Sequence, residues 1–240
     1  MFDKSLTKNR KESAVKVVIL YLNEEKPFAE YSQLLPLISQ ERQERIARMA
    51  VNGDKVRSLF AELLIRYEAS EQLGADFNLL EFGKNEFGKP FIIGESGYDF
   101  SVSHSGKAVA FAGENTDVGR VRVGLDVERI RRRKSGVSGR FFTENEIKFI
   151  EEGKTPDEVF FEIWTKKEAY SKMLGKGLAA GFNSFDVTGN ALDCKFFTKI
   201  TNGYAFSVCA EGISASPEIE EVSEDKFLQK LSERLSFTFR

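Results

Sequence analysis

The chain reads as α+β, built from two halves of similar design that meet near residue 119. Three observations predict this. Residues 55–73 repeat apolar side chains at helical spacing through Val56, Leu59, Phe60, Leu63, Leu64 and Tyr67, and the run closes at Gly74. Residues 120–128 alternate Val121, Val123, Leu125 and Val127 with Arg122, Gly124, Asp126 and Glu128, the period of two that marks a strand. The two halves also echo one another. Glu68-Ala69-Ser70 leads to Leu73-Gly74 much as Glu168-Ala169-Tyr170 leads to Leu174-Gly175, and Phe-Ser-Val recurs at 100–102 and 206–208. The expected division is therefore 1–119 and 120–240.

The remaining elements follow from local chemistry. Residues 15–22 are rich in β-branched side chains and read as a first strand. A helix is expected over 39–49, with Ser39 as its N-cap and Glu41 in the first turn. Its polar face carries Arg42, Arg45 and Arg48, either as a solvated surface or as a binding face. Residues 85–90 form a turn rich in Gly and Pro, followed by a short strand at 91–93. Two paired strands, 100–103 and 107–112, flank the turn Ser103-His104-Ser105-Gly106. A basic loop spans 129–134. Helices are expected over 144–151 and 159–174, strands over 182–187 and 204–210, and in the tail a short acidic strand from Glu218 followed by a helix near 223–235.

Composition excludes several functions. Of 240 residues, 41% are hydrophobic and 30% charged, too apolar for a disordered chain. Thirty-five Lys and Arg against 37 Asp and Glu leave a net charge of −2, which argues against general binding to nucleic acid. The longest early apolar run is too short to span a bilayer, so no membrane partner is expected. Cys194 and Cys209 match no metal-ligand spacing and read as reduced thiols of a cytoplasmic protein. His104 is the single histidine, which removes His-based zinc sites, and no GxSxG, GxGxxG or GxxxxGK[ST] loop is present. Carboxylates, lysines and a hard metal are left to carry any chemistry.

Three constellations could do so. Asp126 and Glu128, two apart on a strand, share a face: either the polar outer face of a half-exposed strand or a pair of hard oxygen ligands suited to Mg²⁺. Trp164, Glu168 and Lys172, four apart, line one stripe of a helix. That stripe is a surface salt bridge or, because Trp seeks burial, the edge of a packed surface where both charges meet a ligand. The turn Ser101-Val102-Ser103-His104-Ser105-Gly106, with Gly88-Lys89-Pro90 before it, lets backbone amides approach an anion, with Lys89 as a phosphate contact.

Together these residues resemble the 4′-phosphopantetheinyl transferases, in particular the long, single-chain Sfp type. The likeness rests on Gly88-Lys89-Pro90, Ser103-His104-Ser105-Gly106, Val123-Gly124-Leu125-Asp126-Val127-Glu128, Arg140-Phe141-Phe142-Thr143 with Glu146, and the run from Trp164 through Lys167-Glu168 to Lys172. It extends from about residue 39 to 208. The resemblance implies a pseudo-twofold pair of α+β halves with the active site in the cleft between them. It implies transfer of the 4′-phosphopantetheine arm of coenzyme A to a serine of an apo acyl or peptidyl carrier protein, with release of 3′,5′-ADP. Asp126, Glu128 and Glu168 would hold Mg²⁺, or Mn²⁺ in its place. Glu168, or a water it orients, would take the serine proton, and Lys172 would neutralise the leaving phosphate. Arg42 and Arg45 would hold the 3′-phosphate, Arg57 and Ser58 would lie near the nucleotide, Lys89 and Pro90 would flank the adenine, and Ser103 and His104 would contact phosphates. The carrier would dock near 175–185 and the basic loop, beside a monomeric enzyme. Two alternatives stay open at this point: another Mg²⁺-dependent enzyme acting on phosphate esters, and a non-catalytic binding protein of the same fold.

Overall fold

The computed structural model describes residues 14–115, 121–133, 138–177, 181–212 and 215–236. The fold is α+β. In chain order the elements are β1 (Lys16–Tyr21), α1 (Gln40–Ala47), α2 (Asn52–Leu73), β2 (Phe82–Lys84), β3 (Pro90–Ile92), β4 (Tyr98–Ser105), β5 (Ala108–Asn115), β6 (Arg122–Arg129), α3 (Ser138–Phe141), α4 (Glu144–Glu152), α5 (Pro156–Leu174), β7 (Lys195–Thr201), β8 (Tyr204–Glu211), β9 (Glu218–Ser223) and α6 (Glu224–Leu235). Strands β4-β5-β1-β9 form one sheet, β6-β8-β7 a second, and β2-β3 a small hairpin.

Each half lays one long helix on an antiparallel pair. Helix α2 packs on β4 and β5, and α5 on β6 and β8. Both helices end at a glycine in the left-handed region, Gly74 (φ 63°) and Gly175 (φ 66°), a conformation that a Cβ would disfavour. Between the sheets lies a core of small against large side chains. Ala108, Ala110 and Ala112 of β5 meet Val123, Leu125 and Val127 of β6 and Phe206 and Val208 of β8. The alanines let the two sheets approach closely.

Helix α1 forms where the sequence predicts it, and the Ser39 side chain accepts from the Arg42 amide as its N-cap. Helix α2 starts earlier than expected, at Asn52. The strand expected over 182–187 does not form. Phe182–Ser184 is a 3-10 turn, because Phe182 packs on Phe141 and Trp164 while Phe185 packs on Tyr170 and gives its carbonyl to Lys167. Strands β2 and β7 have no counterpart in the sequence reading. β7 is an edge strand with exposed Lys199 and Ile200, so burial imposes no alternation on it. The tail returns to the first half: β9 pairs parallel with β1, and Phe227 of α6 packs against Phe60 and Tyr67 of α2. Among the described residues no helix is long and apolar enough to cross a membrane.

Candidate active site between the two halves

β4 and β6 lie side by side without a backbone ladder, and β4 side chains join them. Asp99 Oδ2 accepts from Val123 N (2.7 Å), Ser101 Oγ from Leu125 N (2.9 Å), and Ser105 Oγ from Arg129 N (3.1 Å). Asp99, Ser101, Ser103 and Ser105 alternate along one face of β4, so one strand face stitches the first half to the second. The serines expected to make an anion-binding turn are thus seam residues. The turn itself is shorter, at Gly106, whose φ is 54°.

The second serine of the series reaches the chemistry. Ser103 Oγ donates to Asp126 Oδ1 (2.7 Å), and Lys172 Nζ donates to the same oxygen (2.6 Å) and to Ser103 Oγ (3.0 Å). Asp126 is 5% exposed, buried rather than on an open polar face, because α5 lies across that side of β6. Its second oxygen, Oδ2, is buried with no hydrogen-bond partner. Glu128 accepts from Ser105 Oγ (2.8 Å). Burial and the Asp126 charge lift its carboxyl above the ordinary range, against the hydrogen bond from Ser105. Glu168 is pushed up to about 7, first by burial and then by Asp126, with Lys172 opposing and Glu128 adding. Three carboxylates that crowd one another in this way gain from a cation.

Gly124 makes this crowding geometrically available. A Cβ there would fall inside the contact distance of the Ala169 carbonyl and the Met173 amide, so α5 rests directly on the β6 backbone. Gly124→Ala must push α5 outward and lift Glu168 and Lys172 away from Asp126. The expected cost is about 1–3 kcal/mol, read as a lower urea midpoint at unchanged slope.

Nearby residues of the same helix serve the fold. Lys167 is fully buried and donates to both oxygens of Glu146 (2.6 and 2.7 Å) and to the Phe185 carbonyl. Glu146 also completes a capping box with Thr143 at the start of α4. Trp164 packs among Phe141, Phe142, Phe160 and Phe182. The Trp164–Glu168–Lys172 stripe is therefore the edge of a packed surface.

The remaining predicted residues spread along the first half. Arg42 reaches Glu62 (3.2 Å) and Ser58 Oγ (3.4 Å), and Ser58 is buried. Arg45 is exposed; it and Arg42 line a small cavity with Lys84 and Pro90. Pro90 also lines a second cavity of about 250 Å³, with Phe87, Gly88, Lys89, Ser101, Val102, Lys172 and Gly175. The two cavities meet at Pro90 and run from the arginines to Lys172. Lys89 Nζ is held by Asp99 (2.7 Å) and the Val123 carbonyl (3.0 Å), again across the seam. Arg57 stands apart from Arg42 and Arg45: it binds the Gly106 carbonyl (2.9 Å) and Asp54. His104 is exposed on β4, though the surrounding protein partly shields its ring. Burial first, then the charges of Arg57 and Lys172, hold its pKa below the usual imidazole value.

Among the described residues no group of three or more His, Cys, Asp and Glu closes into a ready metal cluster. Lys172 shares Asp126 where a cation would lie. The donor set fits a hard divalent ion all the same: carboxylate oxygens alone, one of them buried and unpartnered. Asp99, Asn85 and Glu62 were missed by sequence reasoning. Asp99 could have been found from its two-residue phase with Ser101 and Ser103; the other two carry no local signal.

Residues 122–216 match the model of the 4′-phosphopantetheinyl transferase superfamily, and residues 25–116 match that of the 4′-phosphopantetheinyl transferase N-terminal domain. The chain belongs to the 4′-phosphopantetheinyl transferase superfamily. One matched segment lies in each of the two halves. The chain is 27% identical over 230 residues to the 4′-phosphopantetheinyl transferase Sfp of Bacillus subtilis strain 168, covering 89% of this chain and all of that one. It is 37% identical over 155 residues to the 4′-phosphopantetheinyl transferase gsp of Aneurinibacillus migulanus, covering 64% of this chain and 62% of that one. A further 4′-phosphopantetheinyl transferase of Bacillus subtilis is 29% identical over 176 residues, 72% of this chain and 76% of its own. The protein is an enzyme of this long, Sfp-like type.

Proposed function

We propose that this chain transfers the 4′-phosphopantetheine arm of coenzyme A to a serine of an apo acyl or peptidyl carrier protein and releases 3′,5′-ADP. One observation carries the reading: Lys172, which bonds Asp126 beside Glu128 and Glu168, also lines the cavity that runs past Pro90 towards Arg42 and Arg45. A carboxylate cluster thus stands at one end of a track whose other end is cationic. That suits a ligand with phosphates at two places.

Attack on a diphosphate builds negative charge on the leaving oxygens. Asp126, Glu128 and Glu168 would hold Mg²⁺, or Mn²⁺, which when bound supplies positive charge at those oxygens. Lys172 places its ammonium at the same spot and neutralises the leaving group. Glu168, whose carboxyl burial and the Asp126 charge raise to about 7 before any cation binds, would take the serine proton directly or through a water it orients. Ser103 orients Asp126, and His104 faces the cationic side of the cleft beside Arg57. Arg42 and Arg45 bind the 3′-phosphate, Ser58 supports Arg42 from beneath, and Arg57 braces the Gly106 turn near the nucleotide. The carrier docks beside α5: Arg131 lies over the Phe161 ring and Arg133 faces Asp157, leaving a basic rim for an acidic partner. Lys134 and 178–180 of the expected docking region lie outside the described residues. The two halves supply both walls, so we expect a monomer, and free Cys194 and Cys209 suit the cytoplasm.

The test is chromatography of 3′,5′-ADP. Release should require coenzyme A, Mg²⁺ and an apo carrier together. Breakdown of coenzyme A without any carrier would instead make this a general enzyme of phosphate esters, and binding without turnover would make it a binding protein.

For the cationic end, calorimetry should show coenzyme A preferred over its 3′-dephospho form. Arg42→Ala and Arg45→Ala together should lose most of that preference, about 1–3 kcal/mol for each charge-assisted contact. An undiminished preference would place the 3′-phosphate elsewhere.

A further inference from the structure

The turn of the β2–β3 hairpin rests on the end of α5, and one side chain makes the join. Asn85 Oδ1 accepts from the backbone N–H of Phe87 (3.0 Å) and of Lys89 (2.8 Å), which shapes the turn. Asn85 Nδ2 donates across the cleft to the Gly175 carbonyl (2.9 Å). Gly175 is the left-handed cap of α5, and a Cβ there would come within 2.9 Å of Asn85 Nδ2 and 3.4 Å of Lys89 Cδ. Glycine therefore both ends the helix and lets the turn sit down on it.

The consequence lies in the cavity. Phe87, Gly88, Lys89 and Pro90 form one wall of the 250 Å³ space, while Lys172, Gly175 and Gly177 form the wall that belongs to α5. Strands of three residues each make a hairpin too small to hold its own position. Lys89 ties the end of its turn to Asp99 and Val123; Asn85 ties the start of the turn to the helix that carries Glu168 and Lys172. We infer that Asn85 is a positioning residue: it fixes the gap between hairpin and α5 and so preforms the cavity that takes coenzyme A. This rests on the transferase reading. Without the tie, coenzyme A must order the hairpin on binding, and that cost appears in affinity. Asp126, Glu128 and Lys172 are held by bonds that do not involve Asn85, so the bound complex should react at its usual rate.

Asn85→Asp tests this, because it keeps the oxygen that shapes the turn and replaces the donor with an oxygen facing the Gly175 carbonyl. Calorimetric Kd and steady-state KM for coenzyme A should both rise about tenfold, with kcat at saturation within about twofold of wild type. Asn85→Ser can still bond its own turn but cannot reach Gly175, and should weaken binding about threefold to fivefold. It decides the matter by the same criteria if the Asp variant does not fold. A Kd within about twofold of wild type in a folded variant, or a kcat that falls as much as the affinity, overturns the inference. A wild type that binds no coenzyme A overturns the transferase reading and this inference with it; wild-type binding with unchanged variants overturns the inference alone.

Discussion

Asp126→Ala should abolish transfer at every Mg²⁺ concentration. The carboxylate has two duties on its two oxygens. Oδ1 anchors Lys172 and Ser103, and Oδ2, buried and unpartnered, is free for a cation. Losing both removes the metal contact and releases the ammonium from the position where it meets the leaving group. The expected fall in kcat/KM is on the order of 10³-fold or more, since a single preorganised charge contact is already worth about 10²–10³-fold. Stability should change little. Lys172 is 29% exposed and can turn to solvent, and the mutation removes a buried oxygen that had no partner. Single-turnover transfer and a urea midpoint on the same sample separate the two effects. Near-normal transfer by this variant would remove Asp126 from the site.

Glu168→Gln should be nearly as damaging, lowering turnover by about 10²–10⁴-fold if the base alone is lost and further if the metal contact goes too. Lys172→Ala should also lose turnover while still binding Mg²⁺ and coenzyme A. Lys172→Arg should recover part of that loss, because it keeps the charge. Glu168 has a second, independent signature. In the metal-free protein its carboxyl titrates near 7, whereas in the unfolded chain it titrates near 4.5. Between those values the folded state binds more protons than the unfolded one, so stability falls as pH rises from about 4.5 to 7. Melting temperature against pH in chelator should show that decline, and Glu168→Gln should flatten much of it. Glu128, also raised, leaves a remainder. An identical decline in the variant would mean that Glu168 is not held in this environment.

Much of the fold and part of the site are legible in the sequence, for physical reasons that differ by residue. Ser39, Gly74 and the alternation of 120–128 are read correctly because each signal is local: a cap bond, a left-handed helix end, a strand period. The tail is harder. Glu218-Ile219-Glu220-Glu221 reads as an acidic strand, but nothing local says that it pairs with β1, just over 200 residues earlier. Residues 182–187 fail because aromatic side chains favour strands in general, while here Phe182 and Phe185 pack around Trp164 and Tyr170. At the site, strand and helix spacing pair Asp126 with Glu128 and Glu168 with Lys172, and only the family resemblance implies that the two pairs meet. The burial of Asp126 is not anticipated, since it follows from Gly124 admitting α5 onto the strand. Asn85 acts across the cleft, where spacing along the chain carries no information, whereas Asp99 shares the two-residue phase of Ser101 and Ser103.

The most direct test of the central claim is the intact mass of an apo carrier protein after incubation with this enzyme, coenzyme A and Mg²⁺. The account predicts that the carrier gains one phosphopantetheine on its acceptor serine. It predicts no gain when that serine is alanine, when chelator replaces Mg²⁺, or when Asp126→Ala replaces the wild type. Unmodified carriers across acyl and peptidyl types, with wild-type protein that binds coenzyme A, would contradict it.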